Sequence, residues 1–450
     1  MTSTLIENAA IATVDAAGTE YARGHVLVED GVITSVGAGG PPRRAELVID
    51  GTGCLATPGL VNTHHHLYQW ATRAYAQDSI LFDWLKALYP VWAGLDADVV
   101  YATTGAGLAA LALSGCTTST DHHYVFPREG GDVFAAQVEA ARAIGLRFHP
   151  CRGSMDLGAS QGGLPPDNVV ETTEQALAAT AEAVDMYHDP SPGSMLRVAV
   201  APCSPFSVTE DLMREAASLA RAKGVRLHTH LAETVEEEEF CRERFDCTPV
   251  QYAERLGWVG PDVWLAHTVH LDDASIATLG ATGTGVAHCP SSNARLGAGI
   301  APVRALLGAN VPVGLGVDGA ASQEAGRLAP ELRQALYFAR LAGGPAALTA
   351  REALRLGTIG GARCLGREAE IGSLEPGKLG DIALWRLDTL AHAGIADPVA
   401  ALVLGTEPPL AALLVAGAPV VRDGRLTTAD EDALAARLTS ASARLAGAAT

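Results

Sequence analysis

Basic residues are scarce in this chain. Its 450 residues contain 32 Lys plus Arg against 51 Asp plus Glu, which gives a formal net charge of −19. Proteins that bind a polyanion such as DNA, RNA or an anionic membrane concentrate positive charge on one surface. The thin spread of basic residues argues against a nucleic acid or membrane partner, and we expect a small-molecule partner instead.

The chain also lacks the marks of secreted and membrane proteins. Its eight cysteines are scattered and include no Cys-x-x-Cys pair, which suits a reducing cytoplasm better than a disulfide scaffold. The first residues contain no basic segment followed by an apolar one, and apolar runs such as 410–421 fall short of the roughly 18 residues of a membrane span. We therefore expect a cytoplasmic protein without a secretion signal or a membrane span.

Short strands with glycine turns occur at both ends of the chain. Asp30-Gly31 lies between two β-rich runs, which is a hairpin signal. A similar pattern returns after about residue 371 and is followed by an Ala-rich C-terminal helix. We expect residues 1–56 and 371–450 to form one small composite β-sandwich domain, closed by that helix.

The middle of the chain, residues 57–370, alternates a helix, a glycine and a short apolar run that ends in polar residues. Eight such runs follow one another: LVNTHHH, CTTSTDHH, LRFHPCRGS, LRVAVAPCSP, VRLHTHLAE, VWLAHTVH, TGVAHCPSSN and VPVGLGVDG. Eight strands are what a closed parallel barrel needs, so the sequence predicts an α/β fold with a (β/α)8 TIM barrel. Large barrels with apolar surfaces often form symmetric assemblies, and we expect a homo-oligomer.

Histidines concentrate where these runs end. Eleven of the 14 histidines lie in or just after them: His64, His65, His66, His122, His123, His149, His228, His230, His267, His270 and His288. The active site of such a barrel is built at the C-terminal ends of several strands at once. The pattern therefore predicts a functional site at the mouth of the barrel.

The triplet at the end of the first barrel run has the spacing of a metal chelate. Residues i and i+2 of a strand face the same side, so His64 and His66 can point together into the barrel while His65 faces away. The alternative is a solvated histidine-rich patch. The position of the triplet at a strand end favours the chelate.

Three further runs supply possible partners. His228 and His230 alternate in the fifth run, and spacing alone allows either to be a ligand. Asp318 ends the eighth run, where an unpaired buried charge would be costly, so a metal or proton-transfer role is favoured over a helix cap. His267 and His270 in the sixth run are two more possible inward donors, although each could be a satisfied core histidine.

Nitrogen and carboxylate ligands without thiolates suit one kind of metal ion in particular. Zinc, or another divalent ion such as iron, prefers such a set, and a catalytic site keeps a position open for water. The ion lowers the pKa of that water to about 7, which makes a hydroxide nucleophile available at neutral pH.

Four stretches in chain order carry a resemblance to a known family: PGLVNTHHHL, HTHLAE, AHTVH and GVDGAAS. They resemble the motifs of the amidohydrolase superfamily, and the similarity extends into both terminal segments. The resemblance implies four metal ligands: His64, His66, His230 and Asp318. Binuclear members add a carboxylated lysine on strand four, but LRVAVAPCSP contains no lysine, which implies a single ion.

The resemblance also implies catalytic roles. Glu233 matches the proton-shuttling glutamate of the deaminase branch, and His267 matches the histidine that orients the attacking water. In the expected reaction, a hydrolytic deamination, Asp318 takes the water's proton and Glu233 protonates the ring nitrogen before ammonia departs. His267 would hydrogen-bond the hydroxide and stabilise the tetrahedral intermediate.

Further stretches are similar to one group of that superfamily, which comprises guanine, 8-oxoguanine and triazine deaminases or chlorohydrolases. Together they resemble bacterial 8-oxoguanine deaminases most. These stretches are HHHLYQ, CRGSMDLG, SQGGLPPD, APCSPFS and HCPSSNARLGAGIAP. The resemblance implies a free base as substrate, namely 8-oxoguanine or an isocytosine- or guanine-like base. The alternatives are an s-triazine hydrolase that removes chloride or an alkylamine, and a non-catalytic barrel scaffold. Gln323-Glu324 departs from the group's pattern, and we expect it to affect selectivity.

Four residues near the predicted mouth are candidate substrate contacts. Gln69 can donate to and accept from the edge of a purine or triazine, and Trp84 could stack on a planar ring. His122 and Arg152 end strands two and three and face the mouth in the expected register. The alternatives are a polar loop residue for Gln69, core packing for Trp84 and a structural ion pair for Arg152. We expect the acidic run 236–239 to be a solvated helix face.

Overall fold

The two ends of the chain form one β-rich domain in the computed structural model, which describes residues 2–448. Its strands are β1 (Ser3–Ala12), β2 (Glu20–Glu29), β3 (Val32–Ala38), β4 (Leu47–Asp50), β5 (Cys54–Pro58), β16 (Ile382–Arg386), β17 (Leu410–Val415), β18 (Ala418–Arg422) and β19 (Arg425–Leu426). They join one nine-stranded sheet in the order β19-β18-β17-β16-β5-β1-β2-β3, with β4 beside β1. Antiparallel pairing of β5 with β16 connects the two ends of the chain. The prediction of a β-rich domain built from both ends is confirmed.

Two tight turns of this sheet follow directly from their Asp-Gly pairs. Asp30 and Gly31 have φ values of 47° and 84°, and Asp423 and Gly424 have values of 48° and 74°. A two-residue hairpin loop of type I′ needs positive φ at both central residues, which Asp tolerates and Gly adopts freely. The sequence signal at Asp30-Gly31 therefore marks a real hairpin between β2 and β3.

Eight parallel strands close the barrel. They are β6 (Leu60–Asn62), β8 (Cys116–His123), β9 (Arg147–Ser154), β10 (Ala199–Pro202), β11 (Leu227–Leu231), β12 (Val263–His267), β13 (Gly285–His288) and β14 (Val313–Leu315). The order around the barrel is β10-β11-β12-β13-β14-β6-β8-β9. Each strand falls within one of the eight apolar runs, so the predicted (β/α)8 barrel is confirmed.

Helices surround the barrel and carry its connections. They are α1 (Leu81–Trp92), α2 (Ala97–Ala112), α3 (Val133–Ile144), α4 (Thr173–Tyr187), α5 (Glu210–Lys223), α6 (Val235–Phe245), α7 (Pro249–Arg255), α8 (Asp273–Thr282), α9 (Pro290–Arg295), α10 (Val303–Gly308), α11 (Ala329–Gly343), α12 (Ala350–Arg355), α13 (Gly361–Cys364), α14 (Pro398–Leu404) and α15 (Glu431–Ala448). Helices α3 and α5 end at left-handed glycines, Gly145 and Gly224. Glycine reaches this conformation without a Cβ penalty, so it stops each helix just before the next strand.

The terminal helix α15 packs against the barrel, so the expectation that it closes the β domain is wrong. Arg437 lies over the Tyr101 ring of α2 at 5.0 Å, and Arg444 pairs with Asp96 at the start of α2. The helix therefore covers α2 on the outside of the barrel.

A membrane crossing needs a long, strongly apolar helix, and none of the helices within residues 2–448 meets that requirement. All eight cysteines are buried and free of disulfide bonds.

Candidate active site

A two-stranded extension of the barrel sets the position of the site. Beyond β6 and β14, the chain continues as β7 (His65–His66) and β15 (Asp318–Gly319), which pair in parallel. The backbone N–H of Asp318 donates to the carbonyl oxygen of His64 at 3.1 Å. The first and last barrel strands thus bring the histidine triplet and Asp318 together at the C-terminal mouth.

Four buried side chains converge on one point there. The Oδ1 atom of Asp318 lies 3.3 Å from Nε2 of His64 and 3.2 Å from Nε2 of His66. The Nε2 atoms of His66 and His230 are 3.0 Å apart. His65 stays outside this set, since its Nδ1 accepts the backbone N–H of His66.

Backbone contacts fix the protonation of two of these rings. Nδ1 of His66 lies 2.7 Å from the carbonyl oxygen of His122, and Nδ1 of His230 lies 2.7 Å from that of Cys203. A carbonyl can only accept, so each Nδ1 carries the proton and each Nε2 presents a lone pair. Two lone pairs facing each other at 3.0 Å repel unless a cation lies between or beside them.

His64 is oriented by a chain of aromatic side chains. Nδ1 of His228 donates to the carbonyl oxygen of Trp264 at 2.8 Å, so Nε2 of His228 accepts from Nδ1 of His64, also at 2.8 Å. The His228 ring stacks on Trp264 at 4.4 Å, and the Trp264 indole donates to the carbonyl oxygen of Thr63. This chain leaves Nε2 of His64 as a third lone pair at the site, and it engages Nε2 of His228 in the hydrogen bond to His64, away from the point where the Nε2 atoms of His66 and His230 meet.

The charge state of the rings also suits a metal. Burial holds the pKa of His64 and of His230 well below its usual range, so both rings are neutral at pH 7. Neutral imidazole is the form that binds a metal. The three imidazole nitrogens and the carboxylate oxygen, with no thiolate, fit a divalent ion of the zinc type. A group of His64, His230, His267 and Asp318 also has ligand atoms within 4.8 Å of one another.

Asp318 is held in a strained but well-supported conformation. Its φ is 62°, in the left-handed region, which is unusual for a non-glycine residue and typical of functional sites. Ser292 Oγ donates to Oδ2 at 2.5 Å and the backbone N–H of Gly319 donates to Oδ1 at 2.7 Å. The alternative role as a helix cap does not apply, because the next helix, α11, begins at Ala329.

Glu233 and His267 face the same point from neighbouring strands. Nε2 of His267 lies 3.6 Å from Oε2 of Glu233 and 3.9 Å from Oδ2 of Asp318. Nδ1 of His267 donates to Oδ1 of Asn293 at 2.9 Å, which leaves its Nε2 as an acceptor. Burial, reinforced by the negative charge of Asp318, raises the pKa of Glu233 to about 8. Glu233 can therefore carry a proton at neutral pH.

Glu237 is a site residue that the sequence did not reveal. The expectation that 236–239 is a solvated face is wrong at this position, because the Glu237 side chain is buried. Its carboxylate accepts the backbone N–H groups of Ala232 at 2.7 Å and Glu233 at 3.1 Å. It thereby fixes the turn from which Glu233 reaches the cavity.

A cavity lies beside the converging side chains of His66, His230 and Asp318. Its wall is mostly apolar and aromatic: Leu81, Trp84, Leu85, Tyr89, Phe206 and Leu296. Gln69 also faces this space, and its Oε1 has no hydrogen-bond partner within residues 2–448. The Nε1 atom of Trp84 donates to the carbonyl oxygen of Ala321, which leaves its ring as part of the wall. The cavity therefore offers an apolar, aromatic wall and a few polar groups to a bound molecule.

Two predicted substrate contacts are wrong. Arg152 turns away from the cavity because it forms a bidentate ion pair with Glu171 at 2.6 and 2.7 Å and lies over the Phe126 ring. His122 is fully buried beside the rings of His230 and His66, and its Nε2 donates to the carbonyl oxygen of Ala201 at 2.8 Å. Neither side chain lines the cavity.

The unusual pair Gln323-Glu324 also acts outside the cavity wall. Gln323 Nε2 donates to Glu331 at 2.8 Å, and its Oε1 accepts the backbone N–H of Gly326 at 2.5 Å. Glu324 pairs with Arg295. The two residues therefore fix the shape of the loop after β15 and reach a substrate only through that loop.

Two aromatic residues of the cavity wall, Tyr124 and Phe206, were not predicted from the sequence. Tyr124 directly follows the strand-end pair His122-His123, so its position after a barrel strand was the available signal. Phe206 gave no such signal. It meets Phe82 edge-to-face at 4.7 Å and joins the loop after β10 to α1.

The family of the chain follows from its match to known proteins. A model of the amidohydrolase family matches residues 55–422. The chain belongs to the amidohydrolase family. Over 431 residues it is 46% identical to an 8-oxoguanine deaminase of Pseudomonas aeruginosa, a match that covers 95% of this chain and 96% of that protein.

Other amidohydrolases with similar sequence or structure act on triazines, according to their names. A hydroxydechloroatrazine ethylaminohydrolase of Pseudomonas is 38% identical over 94% of this chain and 92% of its own length. The atrazine chlorohydrolase of Arthrobacter aurescens, solved in complex with zinc, superposes with a TM-score of 0.93 at 34% identity and covers 98% of this chain and 100% of its own. The predicted amidohydrolase, with a divalent metal site and a small-molecule substrate, is confirmed.

Proposed function

We propose that the protein is a hydrolytic deaminase of a free amino-substituted nitrogen heterocycle, with 8-oxoguanine as its leading substrate and isocytosine- and guanine-like bases as close alternatives. The observation that carries this proposal is the meeting of Glu233, His267 and Asp318 beside the metal-binding rings. A metal site alone would serve many hydrolases. A protonated carboxyl group beside it supplies the proton that a ring nitrogen needs before ammonia can leave.

We propose one zinc ion, held by His64, His66, His230 and Asp318. When bound, this ion would activate a water molecule for attack on the amino-bearing carbon of the ring. Strand β10, where binuclear relatives carry a lysine, has the sequence AVAP and offers no bridging group. Metal analysis of the purified protein should give one equivalent per chain, and two equivalents would contradict this stoichiometry.

The side chains around the metal site divide the proton transfers between them. His267 presents its unprotonated Nε2 toward the site and accepts the O–H of the attacking water, which it thereby orients. Asp318, steadied by Ser292, accepts the proton that the water loses. Glu233 donates its proton to the adjacent ring nitrogen. The proton held by Asp318 then passes to the amino group, which leaves as ammonia, and the hydroxyl proton on the attacked carbon returns to Glu233. The products are the oxo-substituted ring and ammonia.

The cavity supports a flat, uncharged substrate. Trp84 and Phe206 provide apolar and aromatic wall on which a ring can pack. Gln69 offers an unpartnered carbonyl oxygen that an N–H of the base can satisfy. The 46% identity to an 8-oxoguanine deaminase, higher than that to the triazine hydrolase, favours the purine.

The second candidate function is removal of chloride or an alkylamine from an s-triazine. It is supported by the TM-score of 0.93 to a zinc-bound atrazine chlorohydrolase. The two functions share the metal site and the attacking water and differ in the leaving group.

A single assay distinguishes these functions. The zinc-loaded protein is supplied with 8-oxoguanine, guanine or isocytosine while ammonia is measured, and with atrazine while chloride and alkylamine are measured. We expect ammonia release, fastest with 8-oxoguanine. Chloride release without ammonia would establish the triazine hydrolase, and no release from any compound by zinc-replete protein would leave the non-catalytic scaffold.

We also propose a cytoplasmic homo-oligomer. Eight free, buried cysteines suit a reducing compartment. Tyr337 and Leu341 expose apolar surface on one face of α11, and apolar surface of this kind is common where barrels associate. Light scattering coupled to gel filtration should give a multiple of 46.5 kDa, and a monomeric mass would reject the oligomer.

A further inference from the structure

His122 is a buried imidazole without a complete set of partners. It lies at the end of β8 with no exposed surface, and its Nε2 donates to the carbonyl oxygen of Ala201. Its Nδ1 is therefore a lone pair, and no hydrogen-bond donor meets it anywhere in residues 2–448. A buried acceptor without a partner is costly, so a structure that keeps one calls for an explanation.

The His122 ring lies among the rings of the three proposed metal-binding histidines, and it also contacts the rings of His228 at 5.1 Å and Tyr124 at 5.3 Å. Its ring stacks on that of His230 at 4.8 Å and lies 5.5 Å from the ring of His66 and 5.9 Å from that of His64. One ring nitrogen from each of the four histidines lies within 4.8 Å of the others. A tetrahedral zinc site places its nitrogens about 3.4 Å apart, so small ring rotations would bring the four to bonding distance.

We propose that the barrel mouth holds a second, overlapping position for the divalent ion, in which His122 replaces Asp318 and the ligands are His64, His66, His122 and His230. The inference rests on the metal site of the proposed function and adds a ligand to it. Four imidazoles are a set that zinc accepts readily.

In the unmodified protein, the charge of the ligands determines which of the two metal positions the ion occupies. With Asp318 as a ligand, a carboxylate offsets part of the ion's charge at a fully buried place, whereas four neutral imidazoles leave that charge uncompensated. The position that uses Asp318 is therefore preferred. The His122 position fills when Asp318 cannot bind the ion, and it would keep the ion in the barrel while Asp318 serves as proton acceptor.

A double-variant cycle on zinc affinity tests this proposal. Zinc affinity is measured by competition with a chromogenic chelator for the unmodified protein, H122F, D318N and D318N/H122F. We expect H122F alone to change the affinity less than about threefold, and D318N to weaken it about 10–100-fold. The double variant should lose at least a further factor of about ten, because the second position is then also gone.

A matched control removes the effect of replacing a buried histidine. His149 lies on the neighbouring strand β9, is equally buried and has two unpartnered ring nitrogens, but it does not belong to the metal-binding cluster. D318N/H149F should bind zinc as D318N does. Equal affinities of D318N/H122F and D318N/H149F would overturn the proposal.

A spectroscopic count of ligands provides an independent readout that needs no His122 variant. X-ray absorption of zinc-loaded D318N should fit four imidazoles, and a fit with three imidazoles and water oxygen would overturn the proposal. Zinc binding and ammonia release by the unmodified protein judge the proposed function separately. A failure confined to the D318N background therefore rejects only the role of His122.

Discussion

The carboxylate of Glu237 accepts the backbone N–H of Glu233, four residues earlier in the chain, at 3.1 Å. Its other oxygen accepts the N–H of Ala232, whose φ of 54° places it in the left-handed region. One buried carboxylate thus holds the turn that carries the proposed proton donor.

Removal of this carboxylate should misplace Glu233. We expect E237A to lower kcat for 8-oxoguanine about 10–100-fold while zinc content stays unchanged, because small misplacements of a catalytic group cost this much. The substitution E239Q, at an exposed position of the same acidic run, is the matched control and should leave kcat unaltered. Equal kcat values for E237A and E239Q would show that Glu237 plays no positioning role.

Glu233 itself should be essential for turnover but not for metal binding. We expect E233Q to retain zinc and to lower kcat by about two to four orders of magnitude, because an amide cannot deliver the proton. Zinc analysis and steady-state ammonia release check both parts. Near-normal turnover by E233Q would reject its assigned role.

The raised pKa of Glu233 predicts the direction of the pH profile. Below its pKa of about 8 the group keeps its proton, and as the pH rises through that value the proton donor is lost. We therefore expect kcat/KM to fall on the alkaline side, with the limb moved toward lower pH when zinc is bound, because positive charge favours the carboxylate. The profile is measured between about pH 6 and pH 10. Activity that keeps rising through this range would contradict the assignment.

His228 should control zinc affinity through His64. In H228F the buried N–H of His64 loses its acceptor, and we expect zinc to bind about 10–100-fold more weakly. In H228Q the amide oxygen can still accept that N–H, so most of the affinity should return. Chelator competition measures both variants, and H228F with unmodified affinity would show that the chain from Trp264 to His64 does not matter for the metal.

We expect Gln69 to contribute to substrate binding and not to zinc binding. We expect Q69L to raise KM for 8-oxoguanine about 10–100-fold with zinc content unchanged, because a polar edge of the base then lacks its partner. The exposed Gln77, which follows Gln69 in the segment between β7 and α1, provides a control, and Q77L should not change KM. An unchanged KM in Q69L would remove Gln69 from the binding surface.

The fold and the meeting of His64, His66, His230 and Asp318 at one point could be predicted from the sequence because the ends of barrel strands follow simple rules. Eight apolar runs gave eight barrel strands, and alternation along a strand put His64 and His66 on one side. Alternation could not decide between His228 and His230, because both face inward. The contacts of neighbouring strands distinguish the two rings: Nδ1 of His230 meets the carbonyl oxygen of Cys203, whereas Nδ1 of His228 meets that of Trp264.

The roles of residues that depend on contacts distant in the sequence could not be predicted from local sequence patterns. Arg152 lies near the end of a barrel strand as predicted, but its guanidinium pairs with Glu171 and does not reach the cavity. Glu237 sits in a run of four acidic residues, and only the path of the turn after β11 shows which of them is buried. Trp84 of α1 was named from the sequence, but the other wall residues of that helix, Leu81, Leu85 and Tyr89, reach the cavity through tertiary packing that no local pattern encodes.

The pairing of β5 with β16 has a consequence for how the protein is made. During synthesis, β5 emerges early and keeps an unpaired edge until Ile382–Arg386 have left the ribosome. Unpaired strand edges invite association with other chains, so this interval is the vulnerable stage of biogenesis. The histidine triplet follows β5 within a few residues, so its position depends on a strand pairing between segments far apart in the sequence.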